Sequence, residues 1–169
     1  MIRLDTVEAT LALGVALGKQ LRAGDLVILG GSLGAGKTTL TKGIATGMGV
    51  SGRVTSPTFV IARVHRPNPD SGRGVPLVHV DAYRLAGALE LDDLDLDTDL
   101  DAAAVVIEWG EGVAERLSSE RLTIELVRLP DDTRTAQLIA VGERWPARSQ
   151  AVVGAFTDSV AAGTSYGSE

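Results

Sequence analysis

Four polar residues stand where a phosphate-handling site would need them. Lys37 and Thr38 close the run Gly31-Ser-Leu-Gly-Ala-Gly36-Lys37-Thr38, which fits G-x-x-x-x-G-K-[ST]. Asp81 ends the apolar run PLVHVD, and Glu108 ends AAAVVIE. A polyphosphate calls for several inward main-chain N–H groups, an ammonium, and a carboxylate beside a hard cation. Glycines let a chain curl tightly and approach an anion closely. The main-chain N–H groups of Leu33, Gly34, Ala35, Gly36, Lys37, Thr38 and Thr39 are therefore expected to cradle phosphates. Lys37 would reach the β and γ groups, and the Thr38 hydroxyl would ligate Mg²⁺. A helix opening at Lys37 adds the positive end of its dipole.

Asp81 and Glu108 both fall at strand ends, the edge at which open α/β sheets bind ligands. One would hold Mg²⁺ through water and the other would orient an attacking water; the plainer alternative makes one of them a helix cap. TSPTF (55–59) occupies the position of a switch loop. Thr58 or Ser56 could sense a γ-phosphate and its metal there, or the stretch could be a Ser-Pro turn into a strand. His79 lies inside an apolar strand and reads as a packed histidine. His65 borders a loop and reads as solvated. Trp109 is core by default, with a lid or a partner contact as alternatives. The acidic run ELDDLDLDTDLD (90–101) fails as a calcium loop, lacking glycine at position six and glutamate at position twelve.

The elements needed to place these groups follow from pattern. Residues 5–22 read as an amphipathic helix, with Asp5 and Glu8 at capping-box spacing and Gly24 as its stop. DLVILG (25–30) is a strand, then comes the glycine turn and a helix from Lys37 to Met48. Strands are expected at 59–65, 76–81 and 102–109, a loop at 66–74 and a helix at 83–95. The runs 121–129 and 134–142 alternate as strands of a hairpin. The expected fold is an α/β P-loop NTPase-like three-layer sandwich, its sheet parallel at the core with antiparallel edge strands. One domain would span 1–142, with 143–169 a partly disordered C-terminal extension.

Composition narrows the class. The chain has 169 residues, enough for one domain with a real core. Aromatics are 4% against 44% hydrophobic, so Val, Leu, Ile and Ala must build that core. Without cysteine there are no disulfides or thiolate metal sites. A net charge of −6 argues against nonspecific binding to nucleic acid. No apolar run approaches a membrane span, and no secretion signal stands at the start; a cytoplasmic protein is expected.

GSLGAGKTTLTKG, VTSPTFVI, HVDAYRL and VIEWGE occur together, in the order and spacing of the bacterial TsaE (YjeE) family. The resemblance runs from about Glu8 to Gly142. It implies a small P-loop ATPase, weak alone, that uses ATP and Mg²⁺ to help form threonylcarbamoyladenosine in tRNA. It implies docking on the TsaD–TsaB heterodimer, with tRNA met only through that complex. By position, Lys37 and Thr38 match the phosphate lysine and magnesium threonine. Glu108 matches the magnesium-associated glutamate, Asp81 the motif aspartate, and Thr58 the switch threonine. Trp109 matches a tryptophan next to the site, Thr10 a threonine near the base, and Arg134 a late arginine near the nucleotide. Ser32 replaces the usual acid of G-D-L-G-A-G-K-T, and Ala82 shortens H-x-D-L-Y-R.

The reading is an ATP-hydrolysing accessory subunit of tRNA threonylcarbamoylation. One rival is a small-molecule kinase, against which the loop 66–74 offers only Arg66 and Arg73. The other is a non-catalytic ATP-dependent docking switch, against which the paired acids speak. ATP over GTP rests on the resemblance, since no N-K-x-D base-reading motif occurs.

Overall fold

The apolar run Leu26–Leu29 becomes the central strand of a sheet, with a parallel neighbour on each side. The computed structural model describes residues 1–55, 62–70, 74–83 and 100–163. In chain order these form β1 (Ile2–Leu4), α1 (Val7–Gly18), β2 (Leu26–Gly30), α2 (Lys37–Met48), β3 (Ala62–His65), β4 (Leu77–Asp81) and β5 (Ala104–Glu108). A short 3₁₀ helix (Glu115–Leu117), β6 (Arg121–Arg128), β7 (Arg134–Val141) and α3 (Trp145–Ala161) follow. The sheet order is β1-β7-β6-β2-β5-β4-β3. The four inner strands β6-β2-β5-β4 are parallel, and the pairs β1–β7, β7–β6 and β4–β3 are antiparallel. This is the expected three-layer P-loop NTPase-like sandwich.

Strand alternation divides the core in two. Val27, Leu29, Val106, Leu122 and Ile124 pack beneath α1, α2 and α3. Leu26, Ile28, Val78, Val80, Val105 and Ile107 enter a second cluster on the opposite face, with Leu100, Ala103 and Ala114. The register pairs His79 with Val106 and Asp81 with Glu108. These residues share parity with Leu77 and Val106, so His79, Asp81 and Glu108 lie on the α2 face. The chain's candidate acids are thereby brought under the helix that follows the glycine turn.

Helix α1 departs from the expected span and pattern. Its N-cap is Thr6, not Asp5: the Thr6 hydroxyl accepts from the Ala9 N–H at 3.1 Å. The helix ends at Gly18, and Gly24 instead makes the left-handed turn (φ 88°) leading into β2. Every residue from Thr10 to Gly18 is buried, so α1 carries no single apolar stripe. It lies between the sheet, α2 and α3, and a helix covered on several sides is apolar all round. Glycines allow the closest of these approaches. A Cβ on Gly14 would stand 2.4 Å from the Leu40 carbonyl, and one on Gly43 would stand 2.3 Å from that of Leu11.

The segment after Gly142 differs most from expectation. It holds the 17-residue helix α3, whose Trp145, Val152 and Phe156 join the same core as α1 and α2. Arg148 anchors it. The guanidinium binds both carboxylate oxygens of buried Asp25, bonds the Gln20 carbonyl, and stacks on the Trp145 ring at 4.3 Å. A boundary at Gly142 therefore does not divide the packing, and residues 145–161 are ordered into it. Among the described residues no helix is long and apolar enough to cross a membrane. Residues 84–95 of the expected helix, most of the acidic run, and the start of the strand at 59–61 lie outside the described residues.

Candidate functional site

The loop 31–36 leaves β2 at the centre of the sheet and opens directly into α2. Gly31 and Gly36 take φ of 122° and 109°, a region only glycine enters without strain. A Cβ on Gly31 would also stand 2.2 Å from the Leu126 carbonyl. Two features thus demand glycine at the start of the turn. The first-turn N–H groups of a helix have no partner four residues back within it, and Lys37, Thr38 and Thr39, the first turn of α2, line a cavity. That cavity has a volume of about 410 Å³. Gly34, Gly36, Lys37, Thr38 and Thr39 line it from the loop, and Asp81, Tyr83, Glu108, Trp109 and Arg134 from the neighbouring strand ends.

Lys37 is the positive centre. Its Nζ donates to the carbonyls of Gly31 at 2.6 Å and Ser32 at 2.9 Å. It also sits 3.6 Å from the Trp109 ring centroid, a cation–π geometry. Burial pushes the ammonium below the ordinary lysine value, while Glu108, Asp81 and Glu125 pull it back up. Trp109 holds φ 61°, an uncommon conformation for a bulky residue, and packs against Tyr83 with ring centroids 4.9 Å apart and planes tilted by 51°.

Glu108 is the negative centre, and it is 2% exposed. The Thr38 hydroxyl donates to Oε2 at 3.1 Å. His79 Nε2 lies 2.8 Å from Oε1, and the Thr41 hydroxyl 3.4 Å from the same oxygen. Asp81 stands beside Glu108 in the register and accepts the Tyr83 N–H at 3.0 Å. A hydroxyl and two carboxylates at one mouth are the oxygen donors a hard divalent cation takes. Orphan N–H groups, a helix N-terminus and a lysine are the donors a polyphosphate takes. The residues present fit a magnesium–nucleotide pair.

The structure brings together most of the sequence-predicted site. Gly34, Gly36, Lys37, Thr38, Thr39, Asp81, Glu108, Trp109 and Arg134 share one cavity, and exposed Leu33 rims it. Ala35 instead turns its methyl into the core, and its N–H is bound to the Ser32 carbonyl at 3.1 Å. Thr10 is buried behind the loop, its methyl toward Gly36. Thr58 and Ser56 lie outside the described residues. His65, expected in solvent, is 4% exposed. The strand pair β3–β4 and the bond from the Ser51 N–H to the Arg66 carbonyl fold chain across it. Sequence reasoning passed over the Glu108 contacts of His79 and Thr41. The available signal was parity, since His79 precedes Asp81 by two residues on one strand.

The TsaE family model, "Threonylcarbamoyl adenosine biosynthesis protein TsaE", matches residues 4–136. The chain belongs to the TsaE family. TsaE proteins are P-loop ATPases. A TsaE of Streptomyces coelicolor is 57% identical over 138 residues, covering 79% of this chain and 91% of the relative. One of Mycobacterium tuberculosis H37Rv is 59% identical over 141 residues, covering 79% and 82%. Each bears the name tRNA threonylcarbamoyladenosine biosynthesis protein TsaE. The crystal structure of Bacillus subtilis YdiB superposes with a TM-score of 0.73 at 32% identity, covering 90% of this chain and 93% of that one. The TsaE match stops at residue 136, so most of β7 beyond Ala136 and all of α3 lie outside it.

Proposed function

We propose that this chain is an ATP-hydrolysing accessory subunit that acts with a TsaD–TsaB pair in forming threonylcarbamoyladenosine on tRNA. The observation that carries the reading is the Thr38–Glu108 pair, held beneath the glycine loop and next to Lys37. Family membership and the printed names of its relatives supply the pathway.

In this reading the N–H groups of Lys37, Thr38 and Thr39 hold the β-phosphate. Lys37 exchanges its bonds to the Gly31 and Ser32 carbonyls for phosphate oxygens, and its ammonium offsets charge that develops at the γ group. Thr38 and Glu108 would hold Mg²⁺, with Asp81 beside them orienting water or a metal ligand. Bound there, Mg²⁺ supplies neutralising charge to the phosphate oxygens. Arg134 reaches the loop from β7, and the Trp109 ring lies against the lysine. Catalysis of this kind is electrostatic positioning, so turnover is slow until a partner completes the site.

The test is complementation of a bacterial strain lacking the subunit. The wild-type gene restores growth and the tRNA modification, and Lys37→Ala restores neither. Normal growth and modification with Lys37→Ala would contradict the proposal.

A further inference from the structure

We propose that His79 is the positioning residue that fixes the Glu108 carboxylate for its metal. The inference rests on the function proposed above and assigns a role within it to a residue of the apolar strand β4.

Three groups reach Glu108 among the described residues. Thr38 holds Oε2, while His79 and Thr41 approach Oε1 at 2.8 and 3.4 Å. A threonine hydroxyl has one proton to give. Thr41 lies closer to the Lys37 carbonyl, at 3.0 Å, so its proton goes there. His79 is then the donor that holds Oε1. With the carboxylate ionised the contact has one sense: Nε2–H donates and Oε1 accepts.

The other side of the ring points to the same role. His79 is fully buried between Val78 and Val80, and among the described residues its Nδ1 has no hydrogen-bond partner. The nearest ring is His65, with centroids 6.4 Å apart. A buried nitrogen left without a partner loses its bond to water and gets nothing back. A leucine or valine would pack in this strand without that penalty. Among the described residues the hydrogen bond that offsets it is the one to Glu108. That bond pins one oxygen inward and leaves Oε2 on the Thr38 side, where the cation would sit. Groups of this kind, one contact removed from a metal, set ligand orientation and typically change affinity by about 10–100-fold.

The test uses three substitutions of different reach. Gln carries an amide nitrogen at about the position of Nε2; in Asn it is one carbon shorter, and Leu has none. Manganese(II) is titrated into each full-length protein with ADP, and free manganese is counted by electron paramagnetic resonance. His79→Gln should bind within about threefold of wild type, and His79→Asn and His79→Leu about tenfold more weakly. ADP affinity in EDTA should stay within about twofold throughout, a pattern that general loosening of the fold would not produce. Manganese affinity unchanged in His79→Leu, or lost equally in His79→Gln, overturns the inference. A second readout needs neither metal nor nucleotide: ¹⁵N spectra of the wild-type imidazole should show the Nε2–H tautomer. An Nδ1–H tautomer overturns it. A wild type that binds no manganese–ADP overturns the proposed function instead, and the tautomer still decides the role of His79.

Discussion

The Thr38 hydroxyl donates to Glu108 Oε2 across 3.1 Å, joining residues 70 apart in the chain. The bond forms because β5 runs parallel to β2 and ends one strand over from the glycine turn. Thr38→Val keeps the shape and removes the oxygen. It should lower magnesium-dependent ATP hydrolysis by about 10²-fold and leave ADP binding in EDTA nearly unchanged. Steady-state phosphate release with a magnesium titration checks this; equal loss in both measurements would assign Thr38 to phosphate binding alone.

Lys37 lies over the Trp109 ring at 3.6 Å, and nucleotide must draw the ammonium toward phosphate. The chain's other tryptophan, Trp145, opens α3 and is fully buried in the core. ATP binding should therefore change the emission of Trp109 and leave that of Trp145 alone. Trp109→Phe should abolish the fluorescence response while isothermal titration still detects binding.

Arg148 and Asp25 form a buried pair 123 residues apart, with side chains 14% and 1% exposed. Removing one partner strands a charge out of water. Arg148→Ala should destabilise the fold by about 3–5 kcal/mol in urea denaturation. Loss of helix signal without a change in the main transition would show instead that α3 unfolds by itself.

His65 supplies a pH dependence. Burial holds its imidazole below the ordinary value of 6.5, the nearby His79 and Arg63 add to this, and a hydrogen bond to the Ser51 backbone opposes it. Below pH 6.5 the unfolded chain takes up a proton that the folded chain refuses. Stability from this group is therefore complete above 6.5 and falls as acid passes through the window beneath it. His65→Gln should flatten the slope of unfolding free energy below pH 6.5. An unchanged slope would place the acid sensitivity elsewhere.

The parts legible in sequence were those set by short-range rules. The glycine turn and helix Lys37–Met48 follow from backbone chemistry, and the strand ends at Asp81 and Glu108 follow from apolar runs that stop on acids. Helix α3 escaped notice because only Trp145, Val152 and Phe156 are buried along it, too sparse for a clear stripe. Its anchor needs Arg148 to meet Asp25 from the far end of the chain. Strand β1 has three residues and owes its existence to β7. Parity puts His79 on the face of Asp81, but its meeting with Glu108 also needs β4 to pair with β5 in one register, which is set between strands and not within either.

In the function proposed here, Glu108 serves a partner-stimulated ATPase. The most direct measurement is phosphate release by wild type and Glu108→Ala, each with and without the TsaD–TsaB pair. Wild type alone should release phosphate slowly and rise markedly with the pair, and Glu108→Ala should lose that rise by about 10²-fold. Equal rates for the two proteins in the presence of the pair, or no stimulation of wild type, would contradict it.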